Sequence, residues 1–151
     1  MILITGSAGF IGFNLARNFL SSKRNIIGID NFNSDRNDKL KKDRLRILKK
    51  NKNFTFKNID VSNYNNLNKL FKTYKIDTVI HLAALAGVRE SINNPKNYFN
   101  SNLSGFFNVI ENSRRNKIKK FIYASSSSVY SKNARVPYNE KSITNEQISF
   151  Y

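Results

Sequence analysis

The sequence predicts an α/β fold, a doubly wound parallel sheet of about five strands with helices on both faces. Three observations predict it. Short β-branched apolar runs alternate with amphipathic helical patterns along all 151 residues. The first apolar run passes directly into a turn with three glycines. The second ends on an aspartate about 20 positions beyond those glycines.

Ile2-Leu3-Ile4-Thr5 is a short run suited to a buried strand. Gly6-Ser7-Ala8-Gly9-Phe10-Ile11-Gly12 follows, and a helical pattern covers residues 10–20. Strand, glycine turn and helix start together have the physics of a pyrophosphate site. Gly6 allows the tight turn, Gly9 lets the backbone approach the phosphates, and Gly12 lets the helix pack close to the sheet. Phe10 and Ile11 stand at the helix N-terminus, which attracts the anion. Ile26-Ile27-Gly28-Ile29 is a second strand and leads into Asp30-Asn31. A carboxylate there accepts hydrogen bonds from an adenosine ribose, and its charge repels a 2′-phosphate. The cofactor expected is therefore NAD rather than NADP.

Lys39, Lys41, Lys42, Arg44, Arg46, Lys49 and Lys50 form a dense basic segment interleaved with Leu40, Leu45 and Leu48, the pattern of a helix with a solvated face. Residues 54–59 read as a third strand ending at Asp60-Val61, a pair placed to contact an adenine. Leu67, Leu70 and Phe71 share one face of the next helix. Residues 78–82 read as a fourth strand leading into Ala83-Ala84. Leu82, Ala83 and Ala84 are small or apolar enough for a cofactor to lie against their backbone. Pro95 opens a long helix whose buried positions are expected at Phe99, Leu103, Phe106, Phe107, Val109 and Ile110. Residues 121–124 read as a fifth strand, giving the expected order 3-2-1-4-5. Ser125-Ser126-Ser127-Ser128 follows, either a polar turn or a set of hydroxyl donors at the carboxyl end of the sheet.

Lysine and arginine number 26 against 10 acidic residues, a formal charge of +16. The lysines are scattered, and Asn, Lys and Ile are enriched together, so the charge reads as compositional bias. Nucleic acid is not expected as a partner, whereas anionic small ligands are favoured. No cysteine is present, which excludes a disulfide framework and thiolate metal sites. His81 is the only histidine and sits in an apolar strand, so it is assigned to the core and no metal is expected. No apolar run reaches the roughly 18 residues of a membrane span. The first strand begins at the N-terminus with no basic leader before it, and a cytoplasmic protein is the expectation.

Thr5-Gly6-Ser7-Ala8-Gly9-Phe10-Ile11-Gly12, Asp30-Asn31, His81-Leu82-Ala83-Ala84 and Ser125-Ser126-Ser127-Ser128-Val129-Tyr130 occur in that order. In this the chain resembles the extended short-chain dehydrogenase/reductase superfamily and its NAD-dependent epimerase/dehydratase family. Gly87-Val88-Arg89, Asn94-Pro95, Ser101-Asn102-Leu103, Gly105-Phe106 and Ile148-Ser149-Phe150-Tyr151 resemble most the UDP-glucuronate 4-epimerases. The resemblance covers the whole chain but only the N-terminal half of a typical member. It implies a Rossmann-type domain over residues 1–151, with the substrate domain absent.

The resemblance implies that Tyr151 removes the proton from the sugar 4-hydroxyl and that Ser126 bonds the reacting oxygen. Ser127 and Ser128 would lie near the substrate carboxylate, and Asn102 on the cofactor side. Gly87 lines the substrate side, and Arg89 either joins it or is a surface residue. Sister dehydratases and decarboxylases carry acidic residues where this chain has Ser127 and Ser128, which favours simple epimerisation. A non-catalytic dinucleotide- or RNA-binding protein of the same fold is the rival reading.

Two departures from the family pattern stand out. Val129-Tyr130-Ser131 replaces Val-Tyr-Gly, at a cost of roughly 1 kcal/mol if the position needs positive φ. Glu90 replaces a tyrosine. The family's lysine, four residues past its tyrosine, would fall after the last residue of this sequence. A phenol ordinarily titrates at about 10 and needs a neighbouring cation to act as a base. The expectation is that the 151-residue chain alone is inactive and binds NAD weakly. Relatives pair through the helices beside strands four and five, and for this chain a homodimer is in doubt.

Overall fold

The computed structural model describes residues 1–32 and 38–151, with only the backbone at Asp38. Among the described residues five parallel strands form one sheet: β1 (Ile2–Thr5), β2 (Ile26–Asp30), β3 (Phe54–Asn58), β4 (Thr78–His81) and β5 (Lys120–Tyr123). Their order is β3-β2-β1-β4-β5, as the sequence predicts. Every residue of β1 and β2 is buried. Central strands covered on both faces have no polar side to alternate with, which is why they read as continuous apolar runs.

Successive residues of β1 feed two separate cores. Ile2 and Ile4 join Phe13, Ala16 and Leu20 of α1 (Phe10–Ser21) and Leu45 and Leu48 of α2 (Asp38–Leu48). Leu3 faces the other way, with Val79, with Leu67, Leu70 and Phe71 of α3 (Tyr64–Thr73) and with Val109 of α6 (Gly105–Arg115). Strand registers align Thr5 with both Ile29 and His81, and His81 with Tyr123. The carboxyl ends of the strands are therefore level, and the loops after them share one edge of the sheet. At the far side, Ile122 and Tyr123 of β5 are exposed.

After β4 come α4 (Val88–Asn93) and α5 (Pro95–Tyr98), then a π-helical stretch (Phe99–Ser104) that runs without a break into α6. This long helix departs from the sequence reading. Val109 is buried and Phe106 half-buried, but Phe99, Leu103, Phe107 and Ile110 are exposed. Its inward face carries Tyr98, Gly105, Asn108, Asn112 and Ser113 instead. The reason is local. A Cβ on Gly105 would come 2.6 Å from Val61 Cγ2, so a larger side chain has no room there. The buried Asn108 is tolerated because its amide is bonded: its Nδ2 donates to the carbonyls of Val61 and Ser62 at 3.1 and 2.9 Å.

Candidate cofactor crevice

The glycine turn bridges β1 and α1. Gly6 has φ +67°, and a Cβ there would lie 2.9 Å from the backbone of Leu82 and Ala83. The turn after β1 thus touches the turn after β4 directly. A Cβ on Gly12 would fall 2.3 Å from the Gly6 carbonyl oxygen, so only glycine lets α1 start this close to the turn. The Gly9 amide donates to Gly6 O at 2.9 Å, and Gly9 precedes α1 with no side-chain cap. Phe10 and Ile11 are exposed beside it. A glycine cradle at an uncapped helix N-terminus is a fitting seat for a pyrophosphate.

Asp30 ends β2 and is buried. Its Oδ2 accepts from the Ala8 amide at 3.1 Å, and its Oδ1 from the Phe32 amide at 3.2 Å and from Lys41 Nζ at 3.0 Å. Sequence reading placed the basic residues of α2 in solvent, yet Lys41 turns inward to this carboxylate. Arg44 donates to Ala8 O at 3.3 Å and stacks over the Phe10 ring. The carboxylate is thus tied to the glycine turn.

Asp60 lies one strand further out. Its carboxylate accepts from Asn31 Nδ2 at 2.8 Å and from the Ser62 amide and hydroxyl at 2.8 and 2.7 Å. Partial burial pushes the Asp60 carboxyl up, but these bonds from Ser62 and Asn31 outweigh it and hold the group below its usual value. Val61 beside it is buried against Gly105. Asn31, Asp60 and Val61 therefore form one corner, held from behind by Asn108.

Residues 82–87 form the opposite wall and are fixed at three points. Thr5 Oγ1 accepts from the amides of Leu82 at 3.0 Å and Ala83 at 2.9 Å. Asn102 Oδ1 accepts from the Leu85 amide at 2.8 Å while its Nδ2 donates to Leu85 O at 2.9 Å. The Tyr98 hydroxyl donates to Ala86 O at 2.9 Å. Asn102 thus spends its amide on the wall itself. Thr5, Tyr98 and Asn108 were missed as site residues, because their roles rest on backbone partners far away in sequence.

Gly87, at φ +121°, precedes α4, on which Arg89 is exposed. After β5, Ser126 Oγ accepts from the Ser128 amide at 3.2 Å and caps a 3₁₀ turn (Ser127–Val129). Ser127 is exposed and Ser128 half-buried. Ser131 has no positive φ, so the strain foreseen for a serine there is absent. Its buried hydroxyl donates to Asn145 Oδ1 at 3.0 Å and accepts from the amides of Asn145 and Glu146 at 3.1 and 3.0 Å. Tyr151 packs edge-on against the buried Tyr98 ring, centroids 6.4 Å apart.

The family whose profile covers residues 2–150 is described as the NAD dependent epimerase/dehydratase family. The chain belongs to this family. It is 44% identical to Protein CapI of Staphylococcus aureus over 150 residues, covering 99% of this chain and 45% of that protein. It is likewise 44% identical to a UDP-glucuronate 4-epimerase of Thermodesulfobacterium geofontis over 128 residues, 85% of this chain and 40% of the relative. Among solved structures, the Bacillus cereus UDP-glucuronic acid 4-epimerase in complex with UDP-glucuronic acid and NAD superposes with a TM-score of 0.87 at 34% identity. That match covers 99% of this chain and 46% of the other. The chain therefore spans less than half the length of these family members. Among the described residues no helix is long and apolar enough to cross a membrane, and no group of three acidic or histidine side chains is placed to hold a metal.

Proposed function

We propose that this chain is the NAD-binding part of a nucleotide-sugar 4-epimerase acting on UDP-glucuronate. The observation that carries the reading is the buried Asp30 carboxylate tied to the Ala8 amide of the glycine turn. That link sets a ribose acceptor beside a pyrophosphate cradle. The choice of sugar is supported by the likeness to UDP-glucuronate 4-epimerases, and simple epimerisation by the serines at 127 and 128, where the sister dehydratases and decarboxylases that the chain resembles carry acidic residues.

Bound NAD supplies a hydride acceptor and donor for the sugar C4. In this reading the residues of the chain divide the remaining work. Gly6, Gly9 and Gly12, with Phe10 and Ile11 at the start of α1, seat the pyrophosphate. Asp30 and Asn31 hold the adenosine ribose, and Asp60 and Val61 border the adenine. Leu82, Ala83 and Ala84 back the nicotinamide side, with Asn102 fixing that wall. Ser126 donates a hydrogen bond to the 4-oxygen while the Tyr151 phenolate takes the hydroxyl proton, so negative charge never accumulates on the sugar oxygen. Ser127 and Ser128 face the uronate carboxylate, and Gly87 and Arg89 border the sugar. Residues 1–151 form the dinucleotide-binding domain, and most sugar contacts come from the part of the family that this chain does not span.

Two measurements test the reading. Calorimetric titration with NAD and NADP is expected to give binding that favours NAD, and no binding of either sinks the cofactor assignment. The 151-residue polypeptide is expected to leave UDP-glucuronate unchanged. The same polypeptide joined to the C-terminal part of the Bacillus cereus UDP-glucuronic acid 4-epimerase is expected to interconvert UDP-glucuronate and its C4 epimer. A folded fusion that leaves UDP-glucuronate unchanged while the intact Bacillus cereus enzyme converts it would count against this chain as the NAD-binding part of a 4-epimerase.

A further inference from the structure

His81 is a buried histidine for which the proposed chemistry has no use. Its Nδ1 lies 2.8 Å from Thr5 Oγ1, and its ring packs against Phe106 with centroids 5.6 Å apart. The direction of the Thr5–His81 bond follows from counting. A hydroxyl has one proton to give and two lone pairs to receive with. The amides of Leu82 and Ala83 have only protons to offer and both point at Thr5 Oγ1, at 3.0 and 2.9 Å. They take both lone pairs. The hydroxyl proton is then committed to the third neighbour, and Nδ1 of His81 must accept it.

We infer that His81 is a positioning residue, a neutral imidazole carrying its proton on Nε2, whose Nδ1 fixes the Thr5 hydroxyl so that Thr5 can tie the turn after β4 to the glycine turn. The pieces form a chain from core to crevice. His81 aims the hydroxyl, the hydroxyl receives two consecutive amides, and those amides belong to the backbone that a Cβ on Gly6 would strike. Were the Nδ1 position to carry a proton, donor would face donor, and one of the two loop amides would lose its acceptor. Burial, which pushes the imidazole down to about 4, acts in the same direction and keeps the ring neutral near pH 7. The consequence for cofactor affinity rests on the NAD reading above, whereas the hydrogen-bond assignment does not.

Because His81 is the only histidine, a long-range proton–nitrogen correlation spectrum of the whole chain reads its tautomer without assignment ambiguity. The expected result is the Nε2–H form at pH 7. An Nδ1–H form or a protonated ring overturns the inference. Amide exchange supplies the second arm. Thr5→Val should speed exchange at Leu82 and Ala83 by about tenfold or more while leaving Val79 unchanged, and Thr5→Ser should restore protection. His81→Asn, which offers an acceptor oxygen near the Nδ1 position, should behave like wild type, and His81→Leu like Thr5→Val. Equal protection in Thr5→Val and wild type, or equal behaviour of the two His81 variants, overturns the assignment. Where Thr5→Val does not fold, the wild-type tautomer and the pair of His81 variants decide. NAD titration of the same variants should follow the exchange data, with roughly tenfold weaker binding when protection is lost. A wild-type chain that binds no NAD counts against the cofactor reading and leaves tautomer and exchange to judge this one.

Discussion

The Lys41 ammonium stands 3.0 Å from the Asp30 carboxylate, and both side chains are largely withdrawn from solvent. The acidic residue proposed to discriminate against a 2′-phosphate is thus partly neutralised by a cation from α2. Lys41→Ala should sharpen the preference for NAD over NADP by roughly fivefold, because the uncompensated carboxylate repels the extra phosphate more strongly. It should also cost about 2 kcal/mol of stability, since Asp30 keeps its two amide donors but loses its counter-ion. Parallel titrations with both cofactors and a thermal melt check the two effects.

Gly12→Ala is expected to be among the most damaging single substitutions in the crevice. Its methyl would lie 2.3 Å from the Gly6 carbonyl oxygen, backbone that has nowhere to retreat. A loss of about 2–3 kcal/mol and of cofactor binding is expected. Gly9→Ala, whose methyl would sit at 3.0 Å from the same oxygen, should be milder. Denaturant melts of the two variants rank them.

Acid should weaken the fold in a defined window. The His81 imidazole is pushed from 6.5 down to about 4 by burial alone. The unfolded chain takes up that proton as pH falls below 6.5, while the folded chain resists until about 4. The stabilisation is therefore complete above pH 6.5 and is lost progressively between 6.5 and 4, about 3 kcal/mol in all. Below that window the lowered carboxyls of Asp60 and Asp77 continue the decline. His81→Asn should flatten stability between pH 6.5 and 4, and urea melts across that range measure the slope.

Ser131 gathers the segment that leads to Tyr151 by three hydrogen bonds of one buried hydroxyl. Ser131→Ala should strand the amides of Asn145 and Glu146, lower stability by about 1–2 kcal/mol and hasten proteolysis within residues 139–151. Unchanged cleavage of that segment would remove this role from Ser131.

The sheet was legible in the sequence because central parallel strands are buried on both faces and have only one way to look. The glycine turn and Asp30 were legible for a similar reason, each residue answering a local steric or hydrogen-bonding demand. The long helix misled because its inward face is lined by Asn108, Asn112 and Ser113, whereas Phe99, Leu103, Phe107 and Ile110 face outward. Hydrophobic periodicity finds a greasy stripe but does not say which way it points. Thr5, Asn102 and Tyr98 act on backbone groups 12 to 78 positions away, and no spacing rule links such partners. Lys41 and Arg44 were hidden in a run of like residues, indistinguishable by type from their solvated neighbours.

The continuous helix from Pro95 to Arg115 touches both ends of the crevice: Tyr98 and Asn102 hold the wall at Ala86 and Leu85, and Asn108 holds the corner at Val61 and Ser62. It works as a common axle. A change that turned it about its own axis would shift the Val61–Ser62 corner and the Leu85–Ala86 wall together, so retuning one end through this helix is expected to disturb the other.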